Sequence, residues 1–209
     1  MFISLDGIDG VGKSTQIANL VQHLESAGHS VLSVRDPGST DIGARLRAIL
    51  LDSDLEMHRR TEAMLFMASR CEMIEETIRP ALKAGKTVIS DRFLLATVAY
   101  QSTPSQAKNQ SQATSSVAPE TVWKIGALAN DGLRPDLTIL LDMPAATAVS
   151  RMNGPADRME SRGVEYMETV RQAFLKELPN ASEHTAIINA DQSPQQVCDD
   201  VIAQVNPLL

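Results

Sequence analysis

Eight residues near the start of the chain, Gly7-Ile8-Asp9-Gly10-Val11-Gly12-Lys13-Ser14, match the pattern G-x-x-x-x-G-K-[ST] in full. Glycines in such a loop let backbone N–H groups turn inward around phosphate oxygens, and a helix starting at Lys13 would add partial positive charge at the same point. Lys13 is placed to reach the β and γ phosphates of a nucleoside triphosphate. Ser14 is placed to ligate Mg²⁺, with Thr15 as a neighbouring hydroxyl. A glycine-rich turn without a ligand is the alternative, but the apolar run before the loop and the helical pattern after it both favour the phosphate site. A dinucleotide fingerprint does not fit, because its third glycine would fall at Thr15.

Four further segments carry polar groups that could face a phosphoryl acceptor. Arg35-Asp36-Pro37-Gly38-Ser39-Thr40 is either a Pro-Gly turn or a strand-end loop aimed at the site. Asp91-Arg92 ends an apolar run, so Asp91 could hold a metal-bound water and Arg92 an anionic acceptor; a helix N-cap ion pair is the plainer alternative. Phe66 and Arg70, four apart on one helical face, could stack on and hydrogen-bond a base, or Phe66 could be core. Arg151, Arg158 and Arg162 bracket a Gly-Pro loop that could close over transferring phosphates.

Positioning these groups requires a particular architecture. Apolar runs at Phe2–Leu5, Val31–Val34, Thr87–Ser90, Leu137–Leu141 and Ala186–Ile188 read as five buried strands. Helical patterns at Lys13–Ser26, Ile42–Leu51, Glu62–Ala84, Thr121–Asn130 and Tyr166–Leu178 alternate with them. The fold class is therefore α/β, a five-stranded parallel sheet with helices on both faces, which places ligands at the carboxyl ends of its strands. One domain over residues 1–209 is expected. Within it, Ser102–Ala118 has Ser, Thr, Gln or Asn at 11 of 17 positions and reads as a polar surface excursion.

With 19 Lys+Arg against 26 Asp+Glu, the net charge of −7 argues against binding a nucleic acid polymer. The basic residues are 13 Arg and 6 Lys, a bias that suits bidentate grip on small phosphorylated ligands. Cys71 and Cys198 form no metal or redox spacing and read as buried hydrophobes. No leader pattern and no membrane-length apolar run is visible, so a soluble cytoplasmic protein, not membrane-bound, is expected.

In order and spacing, these segments resemble the thymidylate kinase family, P-loop enzymes that make dTDP from dTMP and ATP. The pieces carrying the resemblance are Gly7–Thr15, Arg35–Thr40, Arg47, Glu62–Arg70, Asp91-Arg92 through Tyr100-Gln101, Arg134-Pro135-Asp136, Leu141-Asp142 and Asp157–Glu160. The resemblance implies the three-layer P-loop fold, ATP as donor with Mg²⁺, a homodimer and a lid over about residues 151–163. It implies that Phe66 stacks on thymine, that Arg70 bonds the base edge, and that Thr97 and Gln101 lie close to it. Tyr100 would crowd the sugar 2′ side, Arg47 and Arg92 would hold the acceptor phosphate, and Asp9 would sit between sugar and metal. Pro37 would follow a cis bond. Lys13, Arg92, Arg151, Arg158 and Asp9 would carry catalysis, with Ser14 and Asp91 toward the metal and the Asn189–Pro194 turn beside adenine. The chain departs from the family pattern at Asp36, where Glu is usual, at Ala96 and Ser102, and in a lid core with few arginines.

Overall fold

A computed structural model describes residues 1–52, 54–104, 116–152 and 162–209. Along the chain it runs β1 (Phe2–Asp6), α1 (Lys13–Ser26), β2 (Val31–Arg35), α2 (Asp41–Leu51) and α3 (Arg59–Met73). A π-helical turn at Ile74–Ile78 joins α3 to α4 (Arg79–Lys83). Then come β3 (Thr87–Asp91), α5 (Leu94–Ser102), α6 (Pro119–Asn130), β4 (Leu137–Asp142), α7 (Ala145–Ser150), α8 (Val164–Glu177), β5 (His184–Asn189) and α9 (Pro194–Val205).

The five strands form one parallel sheet in the order β2-β3-β1-β4-β5. β1 and β3 are buried at every position, Ser4, Asp6, Thr87, Ser90 and Asp91 included, whereas β5, at the edge, is mostly exposed. Helices α1 and α9 pack together on one side, and α3, α5, α6 and α8 pack against one another on the other. Side chains alternate accordingly: Ile3 and Leu5 belong to the core with Leu20 and Val201, while Phe2 and Val88 join Ile78, Val98 and Val122. Pairing of Leu5 with Asp91 sets the ends of β1 and β3 side by side, so the Gly7 loop and Arg92 leave the sheet at one edge. No described helix is long and apolar enough to cross a membrane.

Each expected strand is present and one residue longer at its C-terminal end, with β5 also starting two residues earlier. The helix expected over Glu62–Ala84 starts at Arg59 and widens at Ile74–Ile78, where the Arg79 N–H bonds the Ile74 carbonyl; Pro80, lacking an N–H, follows immediately. The reading of Ser102–Ala118 as a surface excursion is corrected at its ends. Ser102 closes α5, Thr103 is buried with its hydroxyl donating to Ala99 O, and buried Val117 donates to Gln101 O. Positions 105–115 lie outside the described residues, as does the lid from 153 to 161, including Arg158. Cys198 is buried as expected, but Cys71 is exposed.

Candidate active site

The loop from Gly7 to Gly12 wraps the N-terminus of α1, and close packing explains its glycines. A Cβ at Gly10 would lie 2.1 Å from Ala148 O, and one at Gly7 2.5 Å from Leu141 O, with both residues at positive φ. Ile8 and Val11 bury their side chains in the core, leaving only their main chain for a ligand. Lys13 folds back on the loop, donating to Gly7 O at 3.1 Å and Ile8 O at 2.8 Å. Burial, reinforced by the charge of Arg92, lowers its pKa to about 8. Ser14 and Thr15 are exposed at the rim of a polar cavity of about 280 Å³ that also takes in Asp9, Gly10, Gly12, Lys13, Arg35 and Asp91.

A second cavity continues from the first. Asp9, Asp36, Arg47 and Arg92 line both. Beyond that seam the second is walled by Pro37, Leu51, Phe66, Arg70, Phe93, Ala96, Thr97, Tyr100 and Gln101. Thus the structure gathers around one composite cleft Asp9, Pro37, Arg47, Phe66, Arg70, Arg92, Thr97, Tyr100 and Gln101, whereas Arg151 and Arg162 line neither cavity. The Asp36-Pro37 bond is cis.

Electrostatics at the seam centre on Asp9. Burial opposes its charge, but Arg92 at 2.5 Å, Lys13 at 3.8 Å and the Tyr100 hydroxyl at 3.0 Å hold it well below the usual carboxylate range. Arg92 also donates to Gly7 O at 2.8 Å. Burial works against its guanidinium charge, and Asp9, Tyr100, Asp91 and Asp6 outweigh it and raise its pKa. Burial and the Asp9 charge push the Tyr100 phenol well above its ordinary value.

Arg70 is 1% exposed and largely engaged by the protein: Nε to Asp36 at 2.5 Å, Nη2 to Thr97 Oγ1 at 2.5 Å, Nη1 to the Met67 sulfur at 3.2 Å. Burial raises the Asp36 pKa despite the Arg70 charge. By contrast, Gln101 is fully buried with neither its Oε1 nor its Nε2 partnered among the described residues. Such an amide offers one acceptor and one donor edge to whatever fills the cavity. Arg47 Nη1 donates to Pro37 O at 3.1 Å.

Arg151, at the end of α7, points to the turn after β5, donating to Ala190 O and Asp191 Oδ1, both at 3.3 Å. Asp91 receives Arg35 Nε on Oδ2 at 3.3 Å and keeps a buried Oδ1 without a partner among the described residues.

Two groups escape the sequence reading. Asp6, immediately before Gly7, is fully buried, and burial raises its pKa to about 6 against the pull of Arg92. Its adjacency to the glycine loop was the available signal. The second is the Tyr166 hydroxyl, which accepts from Arg59 at 3.0 Å and Arg162 at 2.8 Å and donates to Tyr100 O at 3.2 Å. Arg162, expected at the lid, is thus tied to α8, and it lies 3.6 Å from buried Glu62. No sequence spacing joins residues 59, 100, 162 and 166.

Comparison with known proteins agrees with this geometry. The family model described as thymidylate kinase matches residues 5–201. A thymidylate kinase of Rhodopirellula baltica is 60% identical over 201 residues, covering 96% of this chain and 78% of the relative. Thymidylate kinases of Fervidobacterium nodosum and Thermosipho africanus are each 38% identical over 210 residues, spanning all of this chain and 100% and 97% of theirs. The chain belongs to the thymidylate kinase family.

Proposed function

We propose that the chain, acting as one catalytic unit, transfers the γ-phosphoryl of ATP to dTMP, forming dTDP on the route to dTTP. The observation carrying this is the composite cleft: a glycine-and-lysine cradle joined, through Asp9, Asp36, Arg47 and Arg92, to a pocket with an aromatic wall and an orphaned amide.

ATP seats its phosphates on the loop from Gly7 to Thr15, drawing Lys13 off its own carbonyls toward the β and γ oxygens. Thymine lies against Phe66, with Gln101 and the Nη1 side of Arg70 at its polar edge and Thr97 steering Arg70. Tyr100 crowds the sugar 2′ position and, with Arg92, fixes Asp9 near the 3′ side. Arg92 and Arg47 hold the acceptor phosphate in line with the donor. That phosphate is already anionic at neutral pH, so alignment and charge compensation matter more than a general base. Arg151 and Arg158 supply further positive charge from the lid, and the Asn189–Pro194 turn borders adenine.

The Ser14 hydroxyl and the unpartnered Asp91 Oδ1 fit a hydrated Mg²⁺. No cluster of three or more His, Cys, Asp or Glu suited to a metal occurs among the described residues, in keeping with an ion held mainly by substrate oxygens. When bound, the ion would offset charge on the transferring phosphoryl. A homodimer is supported by exposed Ile42 and Ile49 on α2, Met64 on α3 and Leu128 on α6, three helices in mutual contact through α3. We place the enzyme in the cytoplasm, with its ATP.

The deciding experiment is coupled ADP release with dTMP, dUMP, dGMP and thymidine in turn. Fastest turnover is expected with dTMP. ADP release indifferent to the acceptor would overturn the reading.

A further inference from the structure

A separate cavity of about 520 Å³ lies on the α5–α6 side of the sheet, within the roughly 300–1,000 Å³ typical of small-molecule sites. Its floor reaches Ser4 on β1 and Thr138 on β4, and of the residues around the composite cleft Phe93 alone lines it.

Three observations give it the character of a ligand site. Trp123, the single tryptophan of the chain, forms one wall, its ring fixed by an indole N–H donated to Glu177 at 2.8 Å. Asn130 lines the cavity at 2% exposure, and its Oδ1 has no hydrogen-bond partner among the described residues. A buried carbonyl oxygen in that condition is stabilised by any N–H brought to it. Phe93, finally, lines both this cavity and the acceptor pocket, with its ring 5.3 Å from the Arg70 guanidinium and its main chain directly after Arg92. At the mouth Glu120 stands with Lys124 and Arg134, so no single charge sign selects an ion.

We propose that this cavity is a second ligand site, for a neutral planar aromatic molecule carrying an N–H donor, and that its occupant acts on the acceptor pocket through Phe93. The ring packs against Trp123, and the Asn130 amide turns its Oδ1 toward the cavity to accept the donor's hydrogen. A filled cavity restricts Phe93 and thereby the Arg70 face of the acceptor pocket.

The test titrates the full chain with benzamide, which has the donor, and methyl benzoate, a similar ester without it, following Trp123 emission. Benzamide should saturate at roughly tenfold lower concentration, the worth of one buried hydrogen bond. Asn130→Leu should erase that preference. Ala127→Phe, on the exposed side of α6 where it reaches the cavity, should abolish both responses while leaving the KM for ATP unchanged and remains informative if the Asn130 variant does not fold. Saturating benzamide should shift the KM for dTMP at least twofold. Absence of a saturable response, equal affinity for amide and ester, or an unmoved dTMP KM would overturn the proposal.

Discussion

Arg92 and Asp9 meet at 2.5 Å on the boundary between the two halves of the cleft, and Arg92 gets there from a left-handed backbone, φ 71°, at the end of β3. For a residue with a Cβ that conformation is costly, and the surrounding contacts hold it: the Arg92 N–H donates to Leu5 O and the guanidinium to Gly7 O. Arg92→Ala should lower kcat/KM for dTMP by about 10²–10³, the usual cost of losing a preorganised donor. Arg92→Lys should recover little, because an ammonium cannot span Gly7 O, Asp9 and a phosphate together. Steady-state ADP release measures both.

The lid arginines make a different expectation. Arg151 rests on Asp191 with both partners more than two-fifths exposed, a pairing worth about 0–1 kcal/mol and therefore easily exchanged for a phosphate. Arg151→Ala and Arg158→Ala should each lower kcat by about 10²–10³. Unchanged turnover in both would refute the lid assignment.

Tyr166→Phe removes one oxygen that serves Arg59, Arg162 and Tyr100 at once. Buried donors left without an acceptor cost about 1–3 kcal/mol, so the melting temperature should fall by several degrees. Because Tyr100 loses a backbone tether, KM for dTMP should rise more than KM for ATP, a split visible in full kinetics.

Asp6 gives a pH signature. Its carboxyl titrates near about 6 when folded, against about 4 in the unfolded chain. Below about pH 4 both states hold the proton; as pH rises to about 6 only the unfolded chain releases it, so native stability falls through that window. Asp6→Asn does not titrate. In urea unfolding its stability relative to the parent should be greater at about pH 7 than at about pH 4, by on the order of 2 kcal/mol.

Met64→Glu should shift the sedimentation coefficient toward that of a monomer, since it sets a charge amid the exposed apolar residues of α2, α3 and α6. A parent chain that sediments as a monomer would overturn the proposed homodimer, and a variant that sediments as a dimer would overturn this interface.

The glycine loop, the strands, the Asp36-Pro37 turn and Asp91-Arg92 were legible because their signals are local: a fixed spacing, a short apolar run, a turn at a strand end; Arg47, Thr97, Tyr100 and Gln101 carry no such signal and came only from the resemblance to a family. Helix α5 was not. Leu94 to Gln101 are all buried, and a helix enclosed on every side shows no polar stripe to mark its period. Helix α7 has only six residues. Helix α9 went unread as well, although the structure shows Ser193 and Gln196 in a capping box with Pro194 at its first turn; the resemblance set the Asn189–Pro194 turn beside adenine and gave nothing for the helix that follows. Nor could spacing reveal that Arg70 is occupied by Asp36 or that Gln101 is left with open polar edges, since both depend on contacts distant along the chain.

The wide turn at Ile74–Ile78 fits one surplus residue into an otherwise unbroken rod. Deleting any single position there would restore regular winding but swing one half against the other by about 100°, the angular step per residue. With Ile78 and Ala81 anchored in the interior, Phe66 and Arg70 would be carried off the cleft. That turn therefore phases the nucleobase wall to the sheet, and the length of the segment matters there more than its composition.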